Sequence, residues 1–535
     1  MERLLGTALC AAALTLSLSC ESSRPVGTQR AAILTGQPLI YSADQPGARF
    51  GRCLAGAGDV NGDGYDDLLI GSPYYETAFP FEGRAWFYLG GPDGPAEEPS
   101  WTSESNQAQA RWGRVVDGAG DVDGDGYDDL FVAAHNWSGD QEGVGVIHLF
   151  HGTSDGPEAT SSWVAQGTSQ DAGLGWSGGR AGDVNGDGYA DIVGGAWRHT
   201  ETAAEQGAVY VWHGGPDGLS TTADFAAFGA EGEQLGFSVR EAGDVNGDGY
   251  DDIVAGARFG ADSGGEALLW LGGPNGLDPT VAWRTSGEHG SLHGWAVSSA
   301  GDTNNDGYDD LLVGEPGFSD VVEDGGRVML HLGGPGGPSV APDVVWEGES
   351  FEAQLGAAVG SAGDADGDGY DDVLLGAWQY AAGEFDEGGA WLYLGGPDGP
   401  DAESAWSGEG DQINAFFGLW VQGVGDLDGD GLSDIGIGAK GYITDQIDEG
   451  GAFIYLSTRL GEQGPTGDDD DSTENTGSLG PSTPSGACGC SAALSSVPGG
   501  AGFVLIALLG LRRRRRSGAS ATAVSPSSAV ALRAR

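Results

Sequence analysis

A glycine-rich acidic loop followed at once by an apolar run recurs seven times, and this recurrence constrains the fold more than any other feature. The first copy reads GDVNGDGYDDLLIG, from Gly58 to Gly71. The leading aspartates are Asp59, Asp121, Asp183, Asp244, Asp302, Asp364 and Asp426, at steps of 62, 62, 61, 58, 62 and 62 residues. Every copy has the same parts. A bulky residue plus glycine stands ahead of the loop: Phe50-Gly51, Trp112-Gly113, Leu174-Gly175, Leu235-Gly236, His293-Gly294, Leu355-Gly356 and Phe417-Gly418. A short strand leads into the loop, and an apolar strand such as DLLIG or DLFVA leaves it. An aromatic strand such as RAWFYLGG or AVYVWHGG follows, ending in turns such as GGPDG, where Pro and Asp-Gly supply turn geometry. A last strand carries Trp101, Trp163, Phe225, Trp283, Trp346 or Trp406.

No segment keeps a 3.6-residue apolar period, so helices should be scarce. Four short strands in each of seven copies predict an all-β fold, a seven-bladed β-propeller of four-stranded antiparallel blades spanning residues 37–458. The seventh copy ends at GAFIYLSTRL with no tryptophan strand after it, whereas PLIYSA precedes the first copy. We therefore expect the N-terminal strand to complete the last blade and close the ring, hiding its edge.

Within each loop, oxygen-bearing residues alternate, so their side chains converge on one point. The expected ligands are positions one, three, five and nine, with the backbone carbonyl of position seven. In the first loop these are Asp59, Asn61, Asp63, Tyr65 and Asp67, and in the second Asp121, Asp123, Asp125, Tyr127 and Asp129. The third offers Asp183, Asn185, Asp187, Tyr189 and Asp191, and the fourth Asp244, Asn246, Asp248, Tyr250 and Asp252. The fifth offers Asp302, Asn304, Asp306, Tyr308 and Asp310, with Asn305 in place of a glycine. The sixth offers Asp364, Asp366, Asp368, Tyr370 and Asp372, and the seventh Asp426, Asp428, Asp430, Leu432 and Asp434. All-oxygen ligands in a flexible loop suit Ca2+ better than zinc or octahedral magnesium. Position twelve is apolar or small, Ile70 in the first copy, so the bidentate glutamate of a helix–loop–helix site is missing. The loop instead reads as the turn of a hairpin. Up to seven structural calcium ions are expected.

Phe/Trp-Gly, then D-x-[DN]-G-D-G-x-x-D-[LIV], then a Gly-Ser-Pro such as Gly71-Ser72-Pro73, resembles the FG-GAP repeat of integrin α-subunit propellers. The resemblance implies a seven-bladed propeller with calcium in its loops and a non-enzymatic recognition role. In that family the bulky residues before the glycines cage a partner subunit. Here only Phe50, Trp112 and Phe417 are aromatic, and no Arg-Gly-Asp occurs, which departs from that pattern.

Charge narrows the partners. The chain of 535 residues carries a formal charge of −57, with Lys440 its lone lysine, which excludes nucleic acid and anionic membrane surfaces as partners. The expected partner is an extracellular protein or a polysaccharide, bound by a monomeric propeller.

The two ends read as addresses. Residues 1–20 have one arginine, an apolar stretch and a small-residue exit, a secretory signal peptide. Its Ser19-Cys20 end resembles bacterial lipoprotein signals, so Cys20 is either a lipid anchor or lies beside an ordinary cleavage site. Residues 21–36 form a short linker, and residues 459–487 an acidic Gly/Pro/Ser/Thr-rich one. Residues 488–516 hold Cys488, Cys490, a 21-residue apolar span from Ser491 to Leu511, and five arginines. This order resembles myxobacterial C-terminal sorting signals, with Cys488 or Cys490 as the anchor; a tail, residues 517–535, follows. An exported protein anchored at a bacterial outer membrane or cell surface is expected, touching the membrane only through its termini.

Other motifs yield to plainer readings. Gly175 to Gly179, GWSGG, fits a nucleophile pattern, yet Ser177 falls in an entry strand, aligned with Cys53. His148, His213 and His331 read as equivalent structural positions on the aromatic strand. We expect an adhesion or recognition module and no enzyme. The alternatives are a lectin-like polysaccharide-binding propeller, its tryptophans stacking on sugars, or a polysaccharide-degrading enzyme on the same scaffold.

Overall fold

The computed structural model describes residue 34 and residues 36–458 apart from residue 321. The expected signal peptide, acidic linker, Cys20, Cys488, Cys490 and apolar span lie outside the described residues. Among the described residues no helix is long and apolar enough to cross a membrane.

Twenty-eight strands form seven separate four-stranded antiparallel sheets, each one blade of a β-propeller. In the first blade the strands run Cys53–Gly58, Asp67–Ser72, Arg84–Tyr88 and Trp101–Glu104, from the axis outward. The seventh blade has three strands from the end of the domain, Phe417–Gly425, Asp434–Ala439 and Gly451–Tyr455. Its outermost strand is the N-terminal Leu39–Tyr41, antiparallel to Gly451–Tyr455, with Leu39 opposite Ile454 and Tyr41 opposite Ala452. The ring closes as the sequence requires, and Tyr41 fixes the join by donating from its hydroxyl to the Pro95 carbonyl at 2.8 Å.

Side-chain size follows distance from the axis. Seven innermost strands converge, so they are rich in glycine and alanine. A Cβ on Gly56 would sit 2.5 Å from the Val424 carbonyl oxygen. The second strand of every blade is buried throughout, which is why it reads as an unbroken apolar run such as Leu68-Leu69-Ile70. Outermost strands alternate, as Trp163–Gln166 does, because one face packs on the next blade and the other meets water. The core thus lies between blades.

The bulky residue ahead of each loop makes a parallel bridge to the preceding blade, from Gly83 with Trp112 round to Phe50 with Gly450 at the seam. Three of the fourth-strand tryptophans are also inter-blade ties. Trp101 Nε1 donates to the Glu158 carbonyl, Trp163 Nε1 to that of Ser220, and Trp283 Nε1 to that of Ser339. Trp346 is the third residue of its strand and Val344 the first, a shift of two that keeps the same face. The N–H groups of Trp101, Trp163 and Trp283 are committed to the fold.

The three histidines are not equivalent. His148 is central in Val146–Phe150, His331 ends Arg327–His331, and His213 lies just past Ala208–Trp212. Burial holds the His148 and His331 imidazoles down to about 4. Ser177 Oγ donates to the Gly236 carbonyl of the next blade at 2.9 Å from within a strand, so it is a tie and not a nucleophile.

Candidate metal centres

Each acidic loop joins the first and second strands of its blade, and all seven lie on one face of the ring. Position one organises the loop. Asp59 accepts the amide of Asp63 on Oδ1 and that of Gly64 on Oδ2, both at 2.9 Å. Position three accepts the amide of position five, Asn61 from Asp63 and Asp123 from Asp125. Position five accepts the amide of position seven, Asp63 from Tyr65 and Asp125 from Tyr127. The backbone is therefore wrapped around the carboxylates, which share one concavity.

Position nine is the first residue of the second strand. Its carboxylate is at most 1% exposed in all seven blades: Asp67, Asp129, Asp191, Asp252, Asp310, Asp372 and Asp434. One oxygen accepts the amide of loop position two, as Val60 to Asp67 at 3.1 Å, and the other accepts an amide just past the third strand, as Gly90 to Asp67 at 2.8 Å. The seventh blade repeats this with Leu427 and Ser457 on Asp434, at 3.0 and 2.8 Å. Among the described residues no lysine, arginine or histidine comes within 4.0 Å of any of the seven. Burial, opposed by those amides and reinforced by neighbouring carboxylates, pushes Asp67, Asp252 and Asp310 up to about 7. It pushes Asp129, Asp191, Asp372 and Asp434 up to about 8. A buried carboxylate with satisfied hydrogen bonds and no cationic side chain calls for a proton or a metal ion.

Carboxylate oxygens lie within 4.8 Å of one another in three loops: Asp121, Asp123 and Asp125; Asp364, Asp366 and Asp372; Asp426, Asp428 and Asp434. These are the three loops with aspartate at position three; the other four have asparagine there, whose amide offers one oxygen and no charge. Asn61 Nδ2 donates to Asp63 Oδ2 at 2.9 Å, and Asn304 to Asp306 at 3.2 Å. The donor set of the three loops with aspartate at position three, all oxygen and carboxylate-rich, could hold a metal ion and is consistent with calcium. A fourth acidic group, Glu387, Glu409 and Asp411, lies on a different part of the sixth blade, and the sequence reading did not mark it.

Position eight was missed as well. Asp128 Oδ2 accepts the Asp59 amide of the preceding loop at 2.9 Å, and Asp251, Asp309 and Asp371 do the same to Asp183, Asp244 and Asp302. At the seam Asp66 Oδ2 accepts the Asp426 amide at 2.8 Å. The third and seventh loops have Ala190 and Ser433 instead, and their own amides donate to the neighbouring carbonyl. An aspartate in five of seven copies, outside any ligand position, was the available sign.

The loops also lock to one another through position seven. A Cβ on Gly62, at φ +73°, would meet Tyr127 Cε1 of the next blade at 2.7 Å. Each of Tyr65, Tyr127, Tyr189, Tyr250 and Tyr308 covers the loop glycine of the preceding blade in this way, and Leu432 covers Gly367. Asn305 keeps the left-handed conformation at φ 56° and donates from Nδ2 to the Gly369 carbonyl of the next loop at 3.0 Å. Its side chain thereby ties the fifth loop to the sixth. His151 Nδ1 lies 3.1 Å from Asp123 Oδ2, the only histidine among the described residues that touches an expected ligand.

The FG-GAP repeat family matches residues 54–88, 241–270 and 293–330, and the FG-GAP-like repeat family matches residues 121–194. Integrin alpha-5 of Xenopus laevis is 34% identical over 245 residues, 44% of this chain and 22% of that protein. Integrin alpha-PS2 of Drosophila melanogaster is 38% identical over 170 residues, 29% of this chain and 12% of its own. Integrin alpha-V of Gallus gallus is 31% identical over 263 residues, 47% and 24%. The chain spans about a quarter or less of the length of these relatives. A crystal structure of BBS1N in complex with ARL6DN, soaked with lead, aligns at a TM-score of 0.43 and 10% identity, covering 81% of this chain and 96% of that one. The chain thus carries FG-GAP and FG-GAP-like repeats at those residues and has distant similarity to integrin α-subunits.

Proposed function

We propose that this propeller is an exported, surface-anchored recognition module whose shape is held by calcium, and that it binds another extracellular macromolecule without catalysing its conversion. The observation that carries the calcium part is the position-nine carboxylate, buried in every blade with no cationic side chain within 4.0 Å among the described residues. The likeness to integrin α-subunits, over part of their length, supports a binding role, with a protein as first ligand class and a polysaccharide as second. The cysteines and apolar stretches of the two ends support export and anchoring at the cell surface.

Mass spectrometry of the purified full-length protein, in calcium and in chelator, tests this directly. Bound calcium up to seven ions, with a lipid on Cys20 or a cut within residues 488–516, supports the reading. Failure to bind calcium overturns the first part, and intact, unmodified ends overturn the second. Protein and glycan arrays probed in calcium test recognition: a protein ligand lost in EDTA supports it, and binding to glycans alone transfers the module to the lectin class.

A further inference from the structure

The propeller axis is a cavity of about 680 Å³, within the range of small-ligand sites of roughly 300–1,000 Å³. Its charge opposes that of the protein. Of 23 lysines and arginines set against 80 acidic residues, six line it: Arg52, Arg114, Arg180, Arg240, Arg258 and Lys440. Two are spoken for. Arg180 Nε lies 3.3 Å from Glu241, and the Arg240 guanidinium donates to the Gly178 carbonyl, with Asp117 close to both arginines.

The other four stand at the mouth opposite the acidic loops, and they differ in kind. Among the described residues no carboxylate lies within 4.0 Å of Arg52, Arg114, Arg258 or Lys440. Asp386 and Glu205 act on Lys440 and Arg258 only from beyond that distance. Three of the four rest on aromatic rings. Arg114 lies 4.4 Å from the Trp176 centroid, Lys440 4.2 Å from Trp378, and Arg258 4.7 Å from Phe237. Arg114 is only 8% exposed, so it is a buried charge with a ring for company and no counter-ion. Cation–π contact offsets part of that desolvation and none of the repulsion between neighbouring cations.

We propose that this mouth binds a carboxylated sugar, the acidic end residue of a polysaccharide, with its carboxylate among Arg52, Arg114 and Lys440 and its ring against the half-buried indoles of Trp176 and Trp378. Guanidinium groups match a carboxylate's two oxygens, and the parts of the two indoles that line the cavity give a pyranose ring apolar surface beside the cations resting on them. An acidic peptide would meet the same cations, yet it has no ring for the indoles. The acidic surface around the mouth repels a long polyanion lying across it, which favours a chain end entering the cavity. The proposal deepens the recognition reading above and rests on it.

Calorimetry on the full-length, calcium-loaded protein tests it, with tri-galacturonate, neutral tri-galactose and tri-glutamate as probes. Tri-galacturonate should bind, tri-galactose and tri-glutamate should not, and Arg114→Gln and Lys440→Gln should each weaken binding tenfold or more. As Arg114→Gln could disturb folding, a second readout uses wild-type protein carrying ¹³C-methyl groups on its single lysine. Tri-galacturonate should raise the titration midpoint of Lys440. No binding at millimolar tri-galacturonate, equal binding of tri-glutamate, or unchanged affinity in both variants would overturn the site. A protein that fails here and still binds calcium and a macromolecule elsewhere leaves the recognition reading in place.

Discussion

Removing calcium should lower the melting temperature by an amount that follows from the loops. At a dissociation constant of about 0.1 mM per site and about 1 mM calcium, each loop gains about 1.4 kcal/mol, and seven gain about 10 kcal/mol. Unfolding entropy of about 2.1 cal/mol/K per residue over the ~420 described residues gives about 0.9 kcal/mol/K. Chelation should therefore lower the midpoint by about 11 °C, and Asp252→Asn should remove about a seventh of that difference. The penalty also has a pH dependence with a fixed sign. Position-nine carboxylates titrate near 7 in Asp67, Asp252 and Asp310 and near 8 in Asp129, Asp191, Asp372 and Asp434, against about 3.9 in the unfolded chain. Between those values the folded chelated protein holds more protons than the unfolded chain, so its stability falls as pH rises. Calcium replaces the protons, so the gap between calcium and EDTA should be wide at pH 8 and shrink towards pH 6. Differential scanning calorimetry at both pH values, with and without EDTA, reads all of this. Equal midpoints in calcium and EDTA at pH 8, or a gap that widens on acidification, would refute the reasoning.

Three further outcomes are expected. Asp66→Ala removes the carboxylate that accepts the Asp426 amide across the seam and should cost about 1.5–3 kcal/mol, read as a drop of a few degrees by calorimetry. Gly62→Ala forces a Cβ onto Tyr127 at φ +73° and should destabilise by about 1–3 kcal/mol, whereas Asn305→Gly should cost less, as a urea titration would show. Burial beside Arg52, Arg49 and Arg114 lowers Lys440 to about 7, so ¹³C-methyl NMR of this single lysine should give a midpoint near neutrality that moves towards 10.5 on unfolding.

The repeat and the strand count were legible because each rests on local spacing that comes back seven times, and the seam because the seventh copy lacks a fourth strand while a spare one precedes the first. Position eight was visible as an aspartate but not as a tie, because its partner is an amide 69 residues away for Asp128 and 360 away for Asp66. That Trp101, Trp163 and Trp283 tie neighbouring blades was not legible, because nothing local shows that their Nε1 groups reach turns 56 or 57 residues on. The histidines were misaligned because the aromatic strands differ in where their bulky residues fall. The cationic mouth was illegible for a topological reason: Arg52, Arg114, Arg258 and Lys440 come from the first, second, fourth and seventh blades, and only closure of the ring gathers them.

The seam also decides how the molecule answers to force. Leu39 lies opposite Ile454, so the chain enters and leaves the ring side by side on a single blade. Ser457 donates to Asp434, which puts that doorway on the face of the acidic loops. Tension between the two ends would peel Leu39–Tyr41 from its neighbour one hydrogen bond at a time, the weakest direction in which a strand can be pulled. Tension on one end alone bypasses that clasp, and a particle held by that end turns its arginine-lined mouth outward.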